Sequence, residues 1–439
     1  MSYKAYERKD LGFTTRQLHA GYDPGEHYRS KAVPIYQTAA FELGDYERCN
    51  RLFEYREEGD SYVRFSNPTN RVLEKRLASL EGGTASLSLA SGMAAISGTF
   101  LNLCRAGDNI VSVQTLYGGS TDLLQNVLPQ YGIEARFIDD ENDVESYRQY
   151  FDEHTKAVYI EALGNPGMNV LDVDAITKLA HSYGIPVVID NTFATPYLFR
   201  PFEHGVDIAC YSATKYLGGH GTTIAGMVTE AGTFDWLGGR FPQFEEFYDQ
   251  FRGKIEEEKL LTQMFTQRFR IVYLTQFGGH MTPQAAFNIL QGMETLSLRM
   301  DRHVSNAQKL AEFMDGHPAV SEVLYPGLKS SRYFELGKKY FPKGPGAIMS
   351  IRVKGGRENA LKVLENVEIF DYMTNVGDAK SLIVHPESST HFGQTPEENA
   401  KAGVFPDSLR LSVGIEDAED LIADIGQALD RSQQYKSQQ

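Results

Sequence analysis

Cysteine, long apolar runs and metal-binding motifs are all scarce in this chain of 439 residues. The three cysteines, Cys49, Cys104 and Cys210, are odd in number and scattered, which argues against a disulfide framework and favours a reducing cytoplasm. No run of about 18 apolar residues occurs, so we expect no membrane span, and the first residues lack the apolar stretch of a secretory signal. No CxxC motif is present, so we expect no structural metal site.

Positive charge is also in the minority. Lys and Arg number 43 against 58 Asp and Glu, which gives a formal net charge of -15. This balance disfavours nucleic acid and anionic membranes as partners. It does not exclude a small anionic ligand, because a local cluster of positive groups can override the global sign. The hydrophobic fraction of 41% is that of an ordinary globular protein, and the length favours two or more domains.

From about residue 70 the pattern alternates between helix and strand. Residues 71–82 have apolar positions at helical spacing and end at a glycine, and 174–183 predict a second helix. Short β-branched runs predict strands at 109–114, 157–162, 186–191 and 206–211. Strands separated by helices predict a mostly parallel sheet with helices on both faces.

Three parts are expected along the chain. Residues 1–65 are polar and aromatic with little periodicity, which predicts an extended arm. Residues 66–283 would form the large domain, with an inserted or linking segment near 230–283 that is rich in aromatic and charged residues. Residues 284–439 start with a long helical pattern and continue with three apolar runs, which predicts a smaller C-terminal α+β domain.

The stretch VDIACYSATKYLGGHG, residues 206–221, places Lys215 just beyond an apolar strand. Lysine is rarely buried without a partner, so Lys215 is either a surface residue of a turn or part of a site. Ligands of open α/β sheets bind where strands end, and the run VVIDNTF places Asp190 at another strand end. A lysine can form a Schiff base with an aldehyde, and a carboxylate can keep a pyridine nitrogen protonated.

A phosphate site is predicted from the same part of the chain. The turn LASGMAA, residues 89–95, opens an Ala-rich helix whose first N–H groups attract an anion. Ser212 and Thr214 add hydroxyl groups beside the lysine. A lysine, a carboxylate and a phosphate cradle together suit pyridoxal phosphate (PLP), whose ring acts as an electron sink.

Seven ordered motifs carry a resemblance to a known family. They are SYVRFSNPTN (61–70), ASGMAAI (90–96), TLYGGST (115–121), VVIDNTFATP (187–196), SATKYLGGHG (212–221), NVGDAKSLIVHPESSTH (375–391) and LRLSVGIED (409–417). Over nearly its whole length the chain resembles the Cys/Met-metabolism family of PLP enzymes, which includes cystathionine synthases and lyases, methionine γ-lyases and homocysteine-forming sulfhydrylases. The resemblance implies the fold type I of PLP transferases, with a seven-stranded sheet.

The resemblance also implies roles at matching positions. Lys215 would form the Schiff base and then move protons, and Asp190 would pair with the pyridinium nitrogen. Tyr117 would stack on the ring and take part in proton transfer. The other cofactor contacts implied are Gly92, Met93, Ser212 and Thr214 at the phosphate, Asn165 at the ring hydroxyl, and Thr192 beside Asp190.

Four further residues are implied to bind substrate or to act across subunits. Arg410 would clamp the substrate α-carboxylate with its two-pronged guanidinium, with Asn375 nearby. Tyr62 and Arg64 match a pair that in this family reaches the neighbouring subunit's cofactor phosphate, and Tyr62 would also touch substrate. The resemblance thus implies shared active sites in a dimer, and a homotetramer of two such dimers.

Three features favour the sulfhydrylase branch of the family. Gly119 stands where methionine γ-lyases typically carry a cysteine, Asn375 stands where many relatives have serine, and residues 232–247 resemble a longer loop of the sulfhydrylases. The implied reaction is γ-replacement, in which sulfide or a small thiol converts O-acetyl-L-homoserine to L-homocysteine, or methionine, and acetate. Methionine γ-lyase or cystathionine γ-synthase activity is the alternative within the family.

Two interpretations belong to other classes. Residues 212–215, SATK, fit the S-x-x-K motif of serine β-lactamases, but the sequence has neither the K-T-G strand nor the S-D-N turn of those enzymes. A cofactor-binding protein without catalysis is disfavoured by the complete set of Lys215, Asp190, Tyr117 and Arg410. Bound PLP would distinguish the serine-enzyme alternative by its yellow colour.

Overall fold

Residues 8–393 and 395–434 are described by the computed structural model. The larger sheet contains β1 Ala85–Leu89, β2 Asn109–Ser112, β3 Glu134–Phe137, β4 Thr155–Glu161, β5 Val187–Asp190, β6 Ile208–Ser212 and β7 Gly226–Glu230. The smaller sheet contains β8 Val320–Leu324, β9 Ile348–Val353, β10 Asp371–Tyr372, β11 Leu382–Val384 and β12 Ser408–Ser412.

Helices surround both sheets. The α-helices of the described residues are α1 Phe13–His19, α2 Tyr46–Phe53, α3 Pro68–Glu81, α4 Gly92–Leu103, α5 Gly118–Asp122, α6 Val173–Ser182, α7 Thr195–Leu198, α8 Pro242–Phe251, α9 Glu257–Thr262, α10 Met264–Arg268, α11 Thr275–Phe277, α12 Pro283–Met293, α13 Leu296–Asp315, α14 Phe334–Tyr340, α15 Arg357–Asn366, α16 Pro396–Lys401 and α17 Ala418–Gln434. Short 3-10 turns and π-helical turns at Leu123–Val127 and Phe269–Leu274 lie between them.

The larger sheet is mostly parallel, as predicted. Its strand order is β1-β7-β6-β5-β4-β2-β3, and β7 is the one strand of this sheet whose direction is opposite to that of the other six. Strands β4, β5 and β6 are buried along almost their whole length because both faces of the sheet are covered. Because these three strands run parallel, their carboxyl ends lie at one edge of the sheet, where open α/β sheets bind ligands.

Helix α3 shows why the predicted pattern folds where it does. Asn67 caps its amino end by accepting the Thr69 N–H at 2.9 Å, and Pro68 occupies the first turn, where no N–H is needed. Gly82 ends the helix in the left-handed region with φ 85°. The sequence prediction of 71–82 is confirmed within three residues at each end.

The aromatic segment near 230–283 packs into the body of the larger sheet. Trp236 stacks on Phe244 with ring centres 4.6 Å apart, and both rings are buried. Glu230, at the end of β7, accepts the N–H groups of Phe265 at 3.2 Å and Thr266 at 2.9 Å. The segment is therefore held by buried contacts, whereas its polar and aromatic composition suggested an insertion or linker. The predicted domain boundaries themselves remain predictions.

The amino-terminal segment is less extended than its composition suggested. Helices α1 and α2 interrupt it, and residues 1–7 lie outside the described residues. Gln17 of α1 donates to the Glu294 carbonyl at 2.8 Å and accepts the Ser297 N–H at 3.0 Å. This contact lies where the long helical pattern after residue 284 divides into α12 and α13. Hydrogen bonds thus join α1 to the turn between α12 and α13.

Three further features concern the described ranges alone. None of their helices is both long and apolar enough to span a membrane. They contain no group of three or more His, Cys, Asp or Glu side chains placed to hold a metal ion. Cys49, Cys104 and Cys210 are free thiols.

Candidate active site

The carboxyl edge of the larger sheet brings the predicted acid and lysine segments together. Asp190 ends β5 and pairs in register with Cys210 of the neighbouring strand β6. Thr192 joins the two strand ends, because its N–H donates to Asp190 Oδ1 at 2.9 Å and its Oγ1 accepts the Ser212 N–H at 2.8 Å. Thr192 therefore fixes Asp190 relative to the turn that leads to Lys215.

Helix α4 supplies a site for an anion beside this edge. Ser91 caps the helix by accepting the Ala94 N–H on Oγ at 3.1 Å. Among the described hydrogen bonds, none uses the N–H groups of Gly92 and Met93, which is expected for a helix start. A Cβ on Gly92 would lie 2.7 Å from that of Ser212, so the glycine allows the helix start to touch the Ser212 hydroxyl group. These free donors and the adjacent hydroxyl fit a phosphate.

Thr214 fits the phosphate role less directly than Ser212. Its Oγ1 accepts the Ala225 N–H at 2.9 Å and donates to the Ala225 carbonyl at 3.2 Å. The hydroxyl therefore connects the lysine turn to the start of β7. It would donate to a phosphate by giving up its bond to the Ala225 carbonyl, and its predicted phosphate contact remains a prediction.

Lys215 is partly buried and hydrogen-bonded. Its Nζ donates to Oδ1 of Asn375, which lies before β11 in the smaller sheet. Burial lowers the pKa of Lys215 to about 8, and the positive charge of Arg410 adds to this shift. An amine with such a pKa has a substantial neutral fraction near neutrality, so it suits both nucleophilic attack and proton transfer.

Arg410 is a buried cation with free hydrogen-bonding capacity. From β12 it donates through Nη1 to Asn165 Oδ1 at 3.1 Å and through Nη2 to the Asn375 carbonyl at 3.5 Å. Its Nε is buried without a hydrogen-bond partner, and no carboxylate of the described residues lies within ion-pair distance. Burial lowers the pKa of Arg410 to about 10. A buried charge without a counter-ion fits an incoming carboxylate, which would offset its lost hydration.

Tyr117 is the N-cap residue of α5 at the same edge, with 44% of its surface exposed. Its N–H donates to Glu161 Oε1 at 2.7 Å. A Cβ on Gly119 would lie 2.5 Å from Cε1 of the Tyr117 ring, so the glycine leaves room for the ring. The exposed ring is available for stacking on a flat ligand.

Tyr62 and Arg64 form a pair of their own. The Arg64 guanidinium lies 5.4 Å from the centre of the Tyr62 ring and 5.2 Å from that of Phe65. Tyr62 is 43% exposed. Within the described part of the chain, no hydrogen bond joins either side chain to Lys215 or Asp190. The predicted role of this pair at the phosphate of a neighbouring subunit therefore remains a prediction.

Two acidic residues at this edge were missed in the sequence analysis. Glu161 ends β4 directly beside Asp190, and an acid closing an apolar strand is the same signal that identified Asp190. Glu141 accepts a hydrogen bond from Thr115 Oγ1 at 2.8 Å and another from the side-chain amide of Asn169. It thus fastens the loops that follow β2 and β4, but its position in an irregular segment gave no sequence signal.

The fold and the side chains together define a class. A doubly wound sheet that presents a lysine, an acid and a phosphate cradle at its carboxyl edge has the parts of a PLP site. The unpartnered donors of Gly92, Met93 and Arg410 fit the anionic groups of the cofactor and of an amino acid. The chain belongs to the Cys/Met metabolism PLP-dependent enzyme family, whose model matches residues 14–430.

Relatives and a solved structure agree with this assignment. A homocysteine synthase of Schizosaccharomyces pombe is 44% identical over 95% of this chain and 98% of its own length. An O-acetyl-L-homoserine sulfhydrylase of Leptospira meyeri is 43% identical over 94% of this chain and 96% of its own. A crystal structure of a putative O-acetylhomoserine (thiol)-lyase from Campylobacter jejuni superposes with a TM-score of 0.91 at 37% identity, covering 96% of this chain and all of that one.

The cofactor predicted from the sequence is confirmed. The family is PLP-dependent, and the Campylobacter structure contains N'-pyridoxyl-lysine-5'-monophosphate, a lysine joined to the cofactor. The predicted fold class is confirmed as well, because the mostly parallel seven-stranded sheet and the smaller second sheet are both present. Which residues of this chain hold the cofactor remains a prediction that the geometry above supports.

Proposed function

We propose that the protein catalyses a PLP-dependent γ-replacement, in which sulfide or a small thiol converts O-acetyl-L-homoserine to L-homocysteine, or methionine, and acetate. The observation that carries an amino-acid substrate is the connection of Lys215 to the unneutralised Arg410 through Asn375. The choice of O-acetyl-L-homoserine is supported by the names of the relatives in S. pombe and L. meyeri.

Arg410 is proposed to bind the substrate α-carboxylate. Its Nε has no protein partner, while Asn165 and the Asn375 carbonyl hold the two Nη atoms. A carboxylate would accept charge-assisted hydrogen bonds from this oriented guanidinium. The substrate would therefore be fixed at one end, close to the side chain that binds Lys215.

Lys215 is proposed to hold and move the substrate protons. Bound PLP supplies an electron sink that acidifies the C–H bonds of an attached amino acid. Lys215 Nζ, with a pKa near 8, can accept the proton from Cα and release it again near neutral pH. Asn375 Oδ1 orients Nζ, and Asp190 supplies the negative charge that a protonated ring nitrogen needs. The net change breaks the Cγ–O bond to acetate and forms a Cγ–S bond.

The test of this proposal is a product assay on purified yellow protein. O-acetyl-L-homoserine is supplied with and without sulfide, and homocysteine and 2-oxobutyrate are measured separately. The proposal predicts homocysteine with sulfide and little 2-oxobutyrate without it, and a Lys215→Ala variant should form neither. Abundant 2-oxobutyrate regardless of sulfide would contradict γ-replacement and indicate a γ-lyase.

We also propose that the active unit is a dimer with shared sites, and that two dimers form a homotetramer. Support comes from Tyr62 and Arg64, whose described contacts are with each other and with Phe65 rather than with the lysine site. Large aromatic side chains are exposed along the same segment, with Tyr28 at 97% and Tyr46 at 78%. Exposed aromatic surface of this kind is typical of protein contacts.

Shared sites can be tested by mixing two inactive variants. Arg64→Ala and Lys215→Ala proteins are each purified, then unfolded and refolded together. A hybrid dimer would contain one site with both native residues, so up to about a quarter of wild-type activity should return. No recovery, in a mixture that sedimentation shows to be hybrid, would contradict the sharing of sites.

Domain boundaries and location complete the proposal. We place the arm in residues 1–65, the PLP-binding domain in 66–283 and the substrate domain in 284–439. Limited proteolysis followed by mass spectrometry would test the two junctions. A cytoplasmic location is proposed from the three free thiols, which a reducing compartment would preserve.

A further inference from the structure

We infer that Glu161 is a positioning residue of the PLP site, which holds the Tyr117 backbone as an uncharged acid and leaves Asp190 as the charged group of the sheet edge. This inference rests on the roles proposed above for Tyr117 and Asp190. It does not depend on which amino acid the enzyme converts.

The position of Glu161 is fixed by the sheet. It is the last residue of β4, and it pairs in parallel register with Asp190, the last residue of β5. Neighbouring strands lie about 4.8 Å apart, so the two acids are immediate neighbours at the edge. The Glu161 side chain is buried, with 7% of the residue exposed.

Glu161 also has a specific contact with the segment that carries the stacking ring. Its Oε1 accepts the Tyr117 N–H at 2.7 Å. Tyr117 precedes the first turn of α5, where backbone N–H groups have no partner within the helix. The carboxyl group therefore fixes the backbone where the chain turns from the end of β2 into α5. In this way it also fixes the position from which the Tyr117 side chain extends.

The surroundings of Glu161 favour its protonated form. Among the described residues, no Lys, Arg or His lies within ion-pair distance of its carboxyl group. Two carboxylates this close cannot both be ionised at low cost. Burial, together with the charge of Asp190, raises the pKa of Glu161 well above its usual range. Burial raises the pKa of Asp190 as well, but less than that of Glu161, because hydrogen bonds from Thr192, whose N–H lies 2.9 Å from Oδ1, favour the charged form of Asp190. A protonated Glu161 still has a carbonyl oxygen for the Tyr117 N–H.

Two substitutions separate the contact from the charge. Glu161→Gln keeps a carbonyl oxygen at the same distance from the backbone and is uncharged at every pH. Glu161→Ala removes the acceptor and leaves the partly buried Tyr117 N–H without its partner, which is unfavourable. If Glu161 acts as an uncharged acceptor, the glutamine variant should resemble wild type and the alanine variant should not.

The test uses the visible absorption and circular dichroism of bound PLP, PLP affinity by titration of apoenzyme, and steady-state kinetics with O-acetyl-L-homoserine and sulfide. For Glu161→Gln we expect an unchanged spectrum, with PLP affinity and kcat within about threefold of wild type. For Glu161→Ala we expect an altered circular dichroism of bound PLP and a loss of about tenfold in kcat. Glu161→Asp, which moves the acceptor back by one methylene, should fall between them and replaces the alanine variant if that protein does not fold.

Glu230 provides a matched control. It is a buried acid of the same sheet at the opposite edge, where it accepts the backbone N–H groups of Phe265 and Thr266. Glu230→Gln and Glu230→Ala should lower stability without altering the PLP spectrum.

The inference is overturned if Glu161→Gln alters the PLP spectrum or affinity as strongly as Glu161→Ala or Glu161→Asp, because the charge would then matter. It is also overturned if the folded alanine and aspartate variants match wild type in both spectrum and kcat. If the wild type binds PLP but rejects O-acetyl-L-homoserine, the proposed substrate fails, whereas the spectra and PLP titrations still decide the role of Glu161.

Discussion

The hydrogen bond between Lys215 and Asn375 predicts how the lysine titrates. Lys215 Nζ donates to an uncharged amide oxygen, while burial and Arg410 hold its pKa near 8. Asn375→Asp would replace this oxygen by a carboxylate of nearly the same shape. A negative charge in hydrogen-bond contact favours the protonated amine, so the pKa of Lys215 must rise.

The size of the effect follows from the neutral fraction of the amine. With a pKa of about 8, roughly one Lys215 in ten is neutral at about pH 7, against roughly one in 3,000 at the ordinary value of 10.5. A carboxylate in contact typically shifts a pKa by about one to two units, and each unit lowers the neutral fraction about tenfold. Asn375→Asp should therefore slow attack of Lys215 on an aldehyde by about 10- to 100-fold near neutrality.

The assay is the rate at which apoenzyme captures PLP, followed by visible absorption from about pH 6 to pH 10. Only the neutral amine attacks, so the rate should rise with pH through about 8 in wild type and through about 9 to 10 in Asn375→Asp. Asn375→Ser is the uncharged control and should leave the midpoint near that of wild type. A midpoint near 10.5 in wild type, or the same midpoint in Asn375→Asp, would refute the reasoning.

Other predictions test the substrate clamp, the space for the ring and the packed aromatic segment. Arg410→Ala should raise KM and lower kcat/KM by about 30- to 1,000-fold. Arg410→Lys should recover little of this loss, because an ammonium group lacks the two-pronged geometry of a guanidinium. A KM for Arg410→Ala that equals the wild-type value in steady-state kinetics would contradict this prediction. Gly119→Ala places a Cβ 2.5 Å from the Tyr117 ring, so the circular dichroism of bound PLP should change and kcat should fall about tenfold; identical spectra would show that the ring moves freely. Phe244→Ala should lower the free energy of unfolding by about 3–5 kcal/mol in urea titrations, because the ring is fully buried on Trp236; a loss under about 1 kcal/mol would mean that the segment is not part of the core.

The central strands could be predicted from the sequence because burial on both faces gives them continuous apolar runs. β5 and β6 are of this kind, and Asp190 and Lys215 were found at their ends. β1 and β7 were not predicted. β1 reads ASLSL, and β7 starts at Gly226, where a Cβ would lie 1.9 Å from the Ser91 carbonyl. The backbones of β7 and of the turn before α4 approach each other closely at the anion site, so only small residues fit there. Small residues have low β-strand propensity, so the sequence pattern did not indicate these strands.

The candidate site was predicted in its composition but not in its connections. Its place at a strand end identified Lys215, and motif resemblance supplied Asn375 and Arg410. The hydrogen bond from Nζ to the Asn375 amide and the free Nε of Arg410 depend instead on how the smaller sheet meets the larger one. Such contacts join residues up to 245 positions apart, as between Asn165 and Arg410, so no local pattern reports them. The motif around Thr214 predicts a phosphate contact, but it gave no sign of the hydrogen bonds that the Thr214 hydroxyl makes with the backbone of Ala225.

The most direct test of the account is to identify the lysine that binds the cofactor. Purified yellow protein is reduced with borohydride, which fixes a Schiff base as a stable secondary amine, and its peptides are analysed by mass spectrometry. The account predicts a phosphopyridoxyl group on Lys215 and no yellow colour in a Lys215→Arg variant. The group on another lysine, or a colour that survives that substitution, would contradict the assignment of the sheet edge as the active site.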